Sequence, residues 1–249
     1  LTEQDRTQRM AMMLLELQRA GETIMLLAEQ KTDWLWHALL TVATADYGLR
    51  FERAVLFLAE KDGKAVYGRM GIGHFEHALA KQDWAQDEAA GMTFEAYLQR
   101  LQADELSPTP VESFVRGWRV VIEPTDNPFA TVLQTGEIYQ VAASQAEACL
   151  PKAFVEKFGV CAYSLVPIKA GERVLGLVIL SNPFEQEVHH DVELAYFATL
   201  ANQAALVYEN LRYRQAQKQL VDVNHRILFR ANTQPLKETL TKLCQAAQA

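Results

Sequence analysis

Cysteine is scarce. The chain of 249 residues has three, Cys149, Cys161 and Cys244, with no CxxC pair and no other metal-ligand spacing. A disulfide framework and a structural zinc site are therefore not expected, and the sparse, odd count fits a reducing compartment. Basic charge is not in excess: 24 Lys and Arg stand against 31 Asp and Glu, a net charge of −7. That balance argues against a nucleic-acid partner and against anionic membrane surfaces. No apolar run approaches the roughly 18 residues a membrane helix needs, and no charged-then-apolar secretory leader is present. There is also no GxxxxGK[ST] loop and no supportable Ser-His-Asp arrangement. These absences point to a cytoplasmic chain with no membrane span, and Leu1 in place of Met suggests a piece cut from a longer one.

What is present is ordinary globular material, 49% hydrophobic and 22% charged. That suffices for one large domain with long helices attached. Two segments carry heptad spacing. Met10, Met13, Leu17, Ala20, Ile24 and Leu27 recur at 3, 4, 3, 4, 3, and Tyr213, Ala216, Leu220, Val223 and Ile227 at 3, 4, 3, 4. Such seams pack against a partner helix, so residues 1–31 and 214–233 are expected to be coiled-coil helices that pair two copies into a homodimer, the alternative for the first being a helix lying on its own domain. Gln234–Pro235 reads as a break, and residues 234–249 as the start of a following domain.

Between the seams, Asp33 is a candidate N-cap for a helix from Trp34 to about Tyr47, ended by Gly48 in a left-handed C-cap. "RAVLFLA", Arg53–Ala59, is a continuous apolar run and reads as a strand buried on both faces. Asp62–Gly63 marks a tight hairpin turn, and "AVYGRMGIG" returns as the second strand. Gly68, Gly71 and Gly73 weaken that strand; they admit close approach of another element or mark a bulge. Residues 74–110 turn helical and polar, as two short helices split by Gly91. "FVRGWRVVIEP" is a further short strand or arm. "NPFATVLQTGEIYQVA" gives a helix, a turn and a strand, and Glu147 to Phe158 a single helix. "VCAYSLVPIKAGERVLGLVILSNP" is the clearest hairpin, and a long helix begins near Asp191. The residues alone predict an antiparallel sheet with helices on its faces.

Three stretches carry a resemblance to a known family. "LLTVATADYGLRFERAVLFLAEKDGKAVYGRMGIG", "SLVPIKAGERVLGLVILSNPF" and "VELAYFATLANQAALVYENLRY" together resemble the opening strands, closing hairpin and exit helix of a GAF domain, over roughly Thr32 to Arg214. The resemblance implies an α+β fold of GAF/PAS type spanning residues 32–213, with residues 74–110 as a helical insertion. It implies a regulatory, non-catalytic sensor that binds a small ligand and passes a conformational signal along its exit helix to an effector. A histidine kinase or diguanylate cyclase parent of a bacterial two-component type is the expectation. Arg69, Trp118, Arg119, Phe129, Tyr139 and Tyr163 are the candidate ligand-pocket residues, set against the simpler reading that the aromatics are core. Arg69 or Arg119 would suit an anionic ligand through bidentate pairing.

The rival chemistries find little footing. A bilin is not expected, because neither Cys149 nor Cys161 is followed by histidine; haem and metal are not expected either. The pair His74 and His77 shares a helix face, yet lacks a third ligand and reads as a solvated face. A redox enzyme of the free methionine sulfoxide reductase type would need a partner for Cys149, and none is evident. The cyclic-nucleotide pattern Asn-Lys-x-Phe-Asp-Glu is absent. A module used only for dimerisation is the other alternative.

Overall fold

The structure is a computed structural model that describes residues 32–45, 48–103, 105, 108–122, 127–184 and 191–246, the side chains of 88, 226–237 and 239–246 excepted. Met10, Met13, Leu17, Ala20, Ile24 and Leu27 lie outside the described residues. The chain divides into two compact units, residues 1–208 and 209–249.

The first unit is built on six antiparallel strands in the order β3-β2-β1-β6-β5-β4. These are β1 (Arg53–Ala59), β2 (Ala65–Gly73), β3 (Arg119–Val121), β4 (Tyr139–Val141), β5 (Tyr163–Ala170) and β6 (Arg173–Ser181). The helices of this unit are α1 (Thr32–Thr44), α2 (His77–Ala89), α3 (Phe94–Gln102), α4 (Pro110–Val115), α5 (Pro128–Thr135), α6 (Ala146–Cys149) and α7 (Lys152–Phe158). A long helix, α8 (Asp191–Ala246), closes the chain. The architecture is α+β, as expected.

β1 and β6 occupy the sheet centre, which is why both are apolar almost throughout. Val55 and Phe57 face Ile179 and Leu177 across the ladder and join the core cluster with Val111, Val115, Phe129 and Phe154 from the helices on that side. The alternate residues Ala54, Leu56 and Leu58 are equally buried and point to the opposite face, following the period-2 pleat. α1 packs over β1 and β2, and Trp36 on α1 meets Tyr208 on α8 with ring centroids 5.0 Å apart.

Several local expectations change. Asp33 sits inside the first turn of α1 rather than capping it, and it pairs with Arg69 on β2. Gly48 does not adopt the left-handed conformation; Arg50 does, at φ 62°. Gly48 is required for space instead, since a Cβ there would lie 2.0 Å from the Val42 carbonyl oxygen. The β1–β2 turn is longer than a two-residue hairpin. The Gly63 N–H donates to the Glu60 carbonyl (3.0 Å), and of Asp62 and Gly63 only the glycine has positive φ. The span Glu147 to Phe158 is two helices, because Pro151 has no N–H to donate and disfavours helical geometry in the residue before it. In the second unit α8 runs unbroken through Gln234–Pro235 to Ala246. A proline removes one backbone donor, which a long helix absorbs locally.

Candidate ligand site

The glycines of β2 hold the key to the sheet face opposite α1. A Cβ on Gly68 would fall 2.1 Å from the Val115 carbonyl oxygen, and one on Gly71 would fall 2.7 Å from Val115's neighbour one turn back, at the Val111 Cγ1. Bare backbone at these positions lets α4 lie directly on the strand. Thr109 secures it: its hydroxyl donates to the Gly71 carbonyl (2.9 Å) and accepts from the Glu112 N–H (3.0 Å), capping α4. Of the two meanings open for these glycines, close approach holds at Gly68 and Gly71. A bulge also falls here, with the register shifting between Leu56 and Phe57 opposite Gly68 to Met70.

Beyond α4 the face is filled by aromatic side chains. Phe57 meets Phe129 edge-on at 5.6 Å, Trp118 stacks on Phe154 at 5.7 Å, and Phe154 stacks on Phe158 at 4.4 Å. Phe129 and Tyr163 are fully buried in this cluster. The Tyr163 hydroxyl donates to the Gly159 carbonyl, and burial raises its pKa. Both residues act as core, consistent with ring pairs adding to plain area burial.

Space remains at one margin of this face. A cavity of about 370 Å³ is lined by Trp118, Arg119, Val120, Val121 and Asn127 on one side and by Cys149, Leu150, Pro151 and Ala153 on the other. Trp118 and Arg119 are thus the two sequence candidates brought together at a cavity. Tyr139 is on β4, the strand at the other end of the sheet, and is about a third exposed. Arg69 pairs with Asp33 on α1. The Arg119 guanidinium forks onto both carboxylate oxygens of Glu60 (2.6 and 2.8 Å). That hydrogen bonding holds Glu60 below its ordinary pKa and Arg119 above its own. An anion would have to displace a carboxylate from either arginine.

Two further polar groups were not singled out as site residues in the sequence. Arg53 is 3% exposed. It donates to the carbonyls of His74 (2.5 Å), Phe158 (2.6 Å) and Phe75 (3.3 Å), and lies 5.0 Å from the Phe184 ring centroid. One side chain thereby ties β1 to the segment before α2, to the end of α7 and to the segment after β6. Burial lowers its pKa. The alternation pattern gives no warning, because a strand-end arginine normally reads as solvated. The second is Glu112 on α4, 1% exposed and paired with Arg116. Its Oε2 lies 3.9 Å from His37 Nε2 on α1, and burial lowers the His37 pKa.

His74 and His77 do not converge on one site. His74 Nε2 pairs with Asp83 (3.0 Å), and His77 stacks on Phe184. Among the described residues no cluster of three or more His, Cys, Asp or Glu could hold a metal ion. Cys161 is buried beside Tyr163, with its thiol pKa raised by burial, and Cys149 borders the cavity. Among the described residues no helix is long and apolar enough to cross a membrane.

The GAF domain family profile matches residues 40–208, well over half of the chain. The chain belongs to the GAF family. The matched span falls within the region, Thr32 to Arg214, that carried the resemblance. Solved GAF structures share the fold at low identity. The GAF domain of a Coxiella burnetii phosphoenolpyruvate-protein phosphotransferase is 13% identical, with a TM-score of 0.57 over 83% of this chain and 98% of that one. That of an Acinetobacter phosphoenolpyruvate-protein phosphotransferase is also 13% identical, at 0.51 over 80% and 94%. A GAF domain/HD domain protein from Geobacter sulfurreducens is 12% identical, at 0.51 over 76% and 98%. No curated protein matches the chain. GAF domains are regulatory sensor modules, and the fold here is theirs.

Proposed function

We propose that this GAF domain is a non-catalytic sensor that binds a small molecule beside Trp118 and transmits its occupancy along α8 to a downstream effector. The observation that carries the reading is the wiring of the sheet to that helix. Gln140 on β4 donates to Asp191 at the start of α8 (2.9 Å), and the Lys169 N–H on β5 donates to Asn202 (2.8 Å). A shift in the strands therefore pulls on α8 through hydrogen bonds. A stiff helix carries such a shift as a discrete change of packing, provided the ligand binds one state better than the other.

The exit seam supports pairing of two copies. Tyr213, Leu220 and Val223 are 66, 64 and 46% exposed, with Ala216 between them, and apolar residues at heptad spacing are stabilised by a partner helix. The Ile227 side chain lies outside the described residues. The reading places the domain in the cytoplasm of a bacterial signalling protein, with a histidine kinase or diguanylate cyclase as effector. It requires no bilin, haem or metal.

One observation favours a second reading, a module that only dimerises: the sheet face is largely occupied by Phe57, Phe129, Phe154 and Phe158. Native mass spectrometry of the purified chain separates the two. A dimer carrying a small-molecule adduct supports the sensor, a bare dimer supports the dimerisation module, and a monomer at high concentration overturns the helix mechanism of both.

A further inference from the structure

The cavity is bordered by four consecutive residues, Trp118 to Val121. Successive side chains on a strand point to opposite faces, so a cavity that touches four in a row runs along the strand's edge rather than over one face. Among the described residues β3 is an end strand, paired with β2 alone. Its inward bonds are visible on either side of Val120. The Gly68 N–H donates to the Trp118 carbonyl (2.7 Å), and the Ile122 N–H donates to the Lys64 carbonyl (3.0 Å). In an antiparallel ladder that alternation turns the N–H and C=O groups of Arg119 and Val121 outward. Among the described residues those edge groups have no backbone partner, and Arg119 and Val121 line the same open cavity as Leu150 and Pro151.

Charge narrows what fits. Among the described lining residues Arg119 is the one cation, and Glu60 neutralises it. Asn127 already spends its carbonyl oxygen on the Phe129 N–H (2.9 Å), which leaves amide donors. The rest of the lining is aromatic and aliphatic apart from the Cys149 thiol.

We propose that this cavity binds a neutral, flat ligand with a cyclic amide edge. The ligand's N–H and C=O pair with the outward C=O and N–H of Val121, and its ring lies against Trp118 and the Leu150–Pro151 wall. The proposal rests on the sensor reading and names the ligand class for its site. An extended peptide is the poorer fit, because β3 offers only two outward residues.

The test uses lumazine, a fluorescent bicyclic dione with such an edge, and its dimethyl derivative, in which both ring N–H groups are blocked. Binding to the full chain is read by fluorescence quenching. Val121→Pro deletes the outward N–H and leaves the inward bonds of Val120 and Ile122 in place; proline is accepted on an edge strand when its N–H position faces outward. Lumazine is expected to bind, with affinity falling about tenfold in Val121→Pro and about tenfold for the dimethyl form, the usual cost of one lost hydrogen bond. Should Val121→Pro fail to fold, Ala153→Trp on the exposed opposite wall must abolish binding by filling the cavity. Equal affinity for both probes, unchanged affinity in Val121→Pro, or undiminished binding in Ala153→Trp overturns edge recognition. Absence of lumazine binding to the unaltered chain overturns the ligand class. The sensor reading survives that result if native mass spectrometry shows a different adduct.

Discussion

Gly68→Ala is the sharpest probe of how this sheet is assembled. The added Cβ would lie 2.1 Å from the Val115 carbonyl oxygen and 2.5 Å from Val115 Cγ1, against a floor of 3.0 Å for real contacts. The obstacle is backbone, so no rotamer change relieves it. α4 must withdraw by about 1 Å, in an interior packed too closely to yield without loss. Withdrawal loosens Val111 and Val115, both 0% exposed. It also strains the paired bonds that join Gly68 to Trp118 and Gly117 (2.7 and 3.0 Å). Overpacking of a core costs about 1–3 kcal/mol, and the upper end applies here because helix and strand are both fixed. At about 2–4 °C per kcal/mol for a domain of this size, the melting temperature should fall by about 6–12 °C, followed by circular dichroism. Gly117→Ala is the control. Its φ is +80° and nothing lies within 4 Å of the added Cβ, so it incurs only the left-handed penalty of about 1–2 kcal/mol. If Gly68→Ala proves no more destabilising than Gly117→Ala, the argument that α4 rests on bare strand backbone is refuted.

Other perturbations follow from the same geometry. Arg53→Met strips the donor from three carbonyls, two of them held at 2.5 and 2.6 Å. It should cost about 3 kcal/mol in urea unfolding, and Arg53→Lys should recover little because an ammonium lacks the planar fork; full recovery by lysine would contradict the forked arrangement. Thr109→Ala removes the cap of α4 and its tie to Gly71, for an expected loss of about 1–2 kcal/mol; a loss under about 0.5 kcal/mol would show that the cap contributes little. For His37 the sign is set by a folded pKa below the unfolded 6.5. The unfolded chain then binds more protons, so stability is lost as pH falls through 6.5 toward the folded pKa. The urea midpoint should drop over that window, and His37→Gln should flatten the slope; an unaltered slope would assign it to other groups.

The long-range pattern of this fold was legible because its central elements carry strong local signals. "RAVLFLA" and "VLGLVIL" are apolar on both faces, and strands with those residues must sit mid-sheet. Asp62–Gly63 and Gly171–Glu172 lie between paired strands and locate their turns. Gly68 and Gly71 announced a close approach, but only the folded chain shows that α4 is what approaches. Glu147 to Phe158 read as one helical span, and the covalent limit on the Pro151 ring divides it in two.

The candidate site was legible only in outline. Trp118 and Arg119 were named together, and the cavity borders both. Phe129 and Tyr163 share the same composition cues but belong to the core, a difference that depends on which way each element turns. The partners of charged groups were hidden for the same reason. Asp33 is 36 residues from Arg69, and Glu60 is 59 from Arg119; no local rule joins them. Sequence by itself determined the strands, their turns and the helical exit, because apolar periodicity and backbone chemistry act over a few residues. Tertiary structure alone decided which arginine is buried, which are neutralised, and that an end strand borders a cavity, because those facts arise from contacts between segments the chain holds far apart.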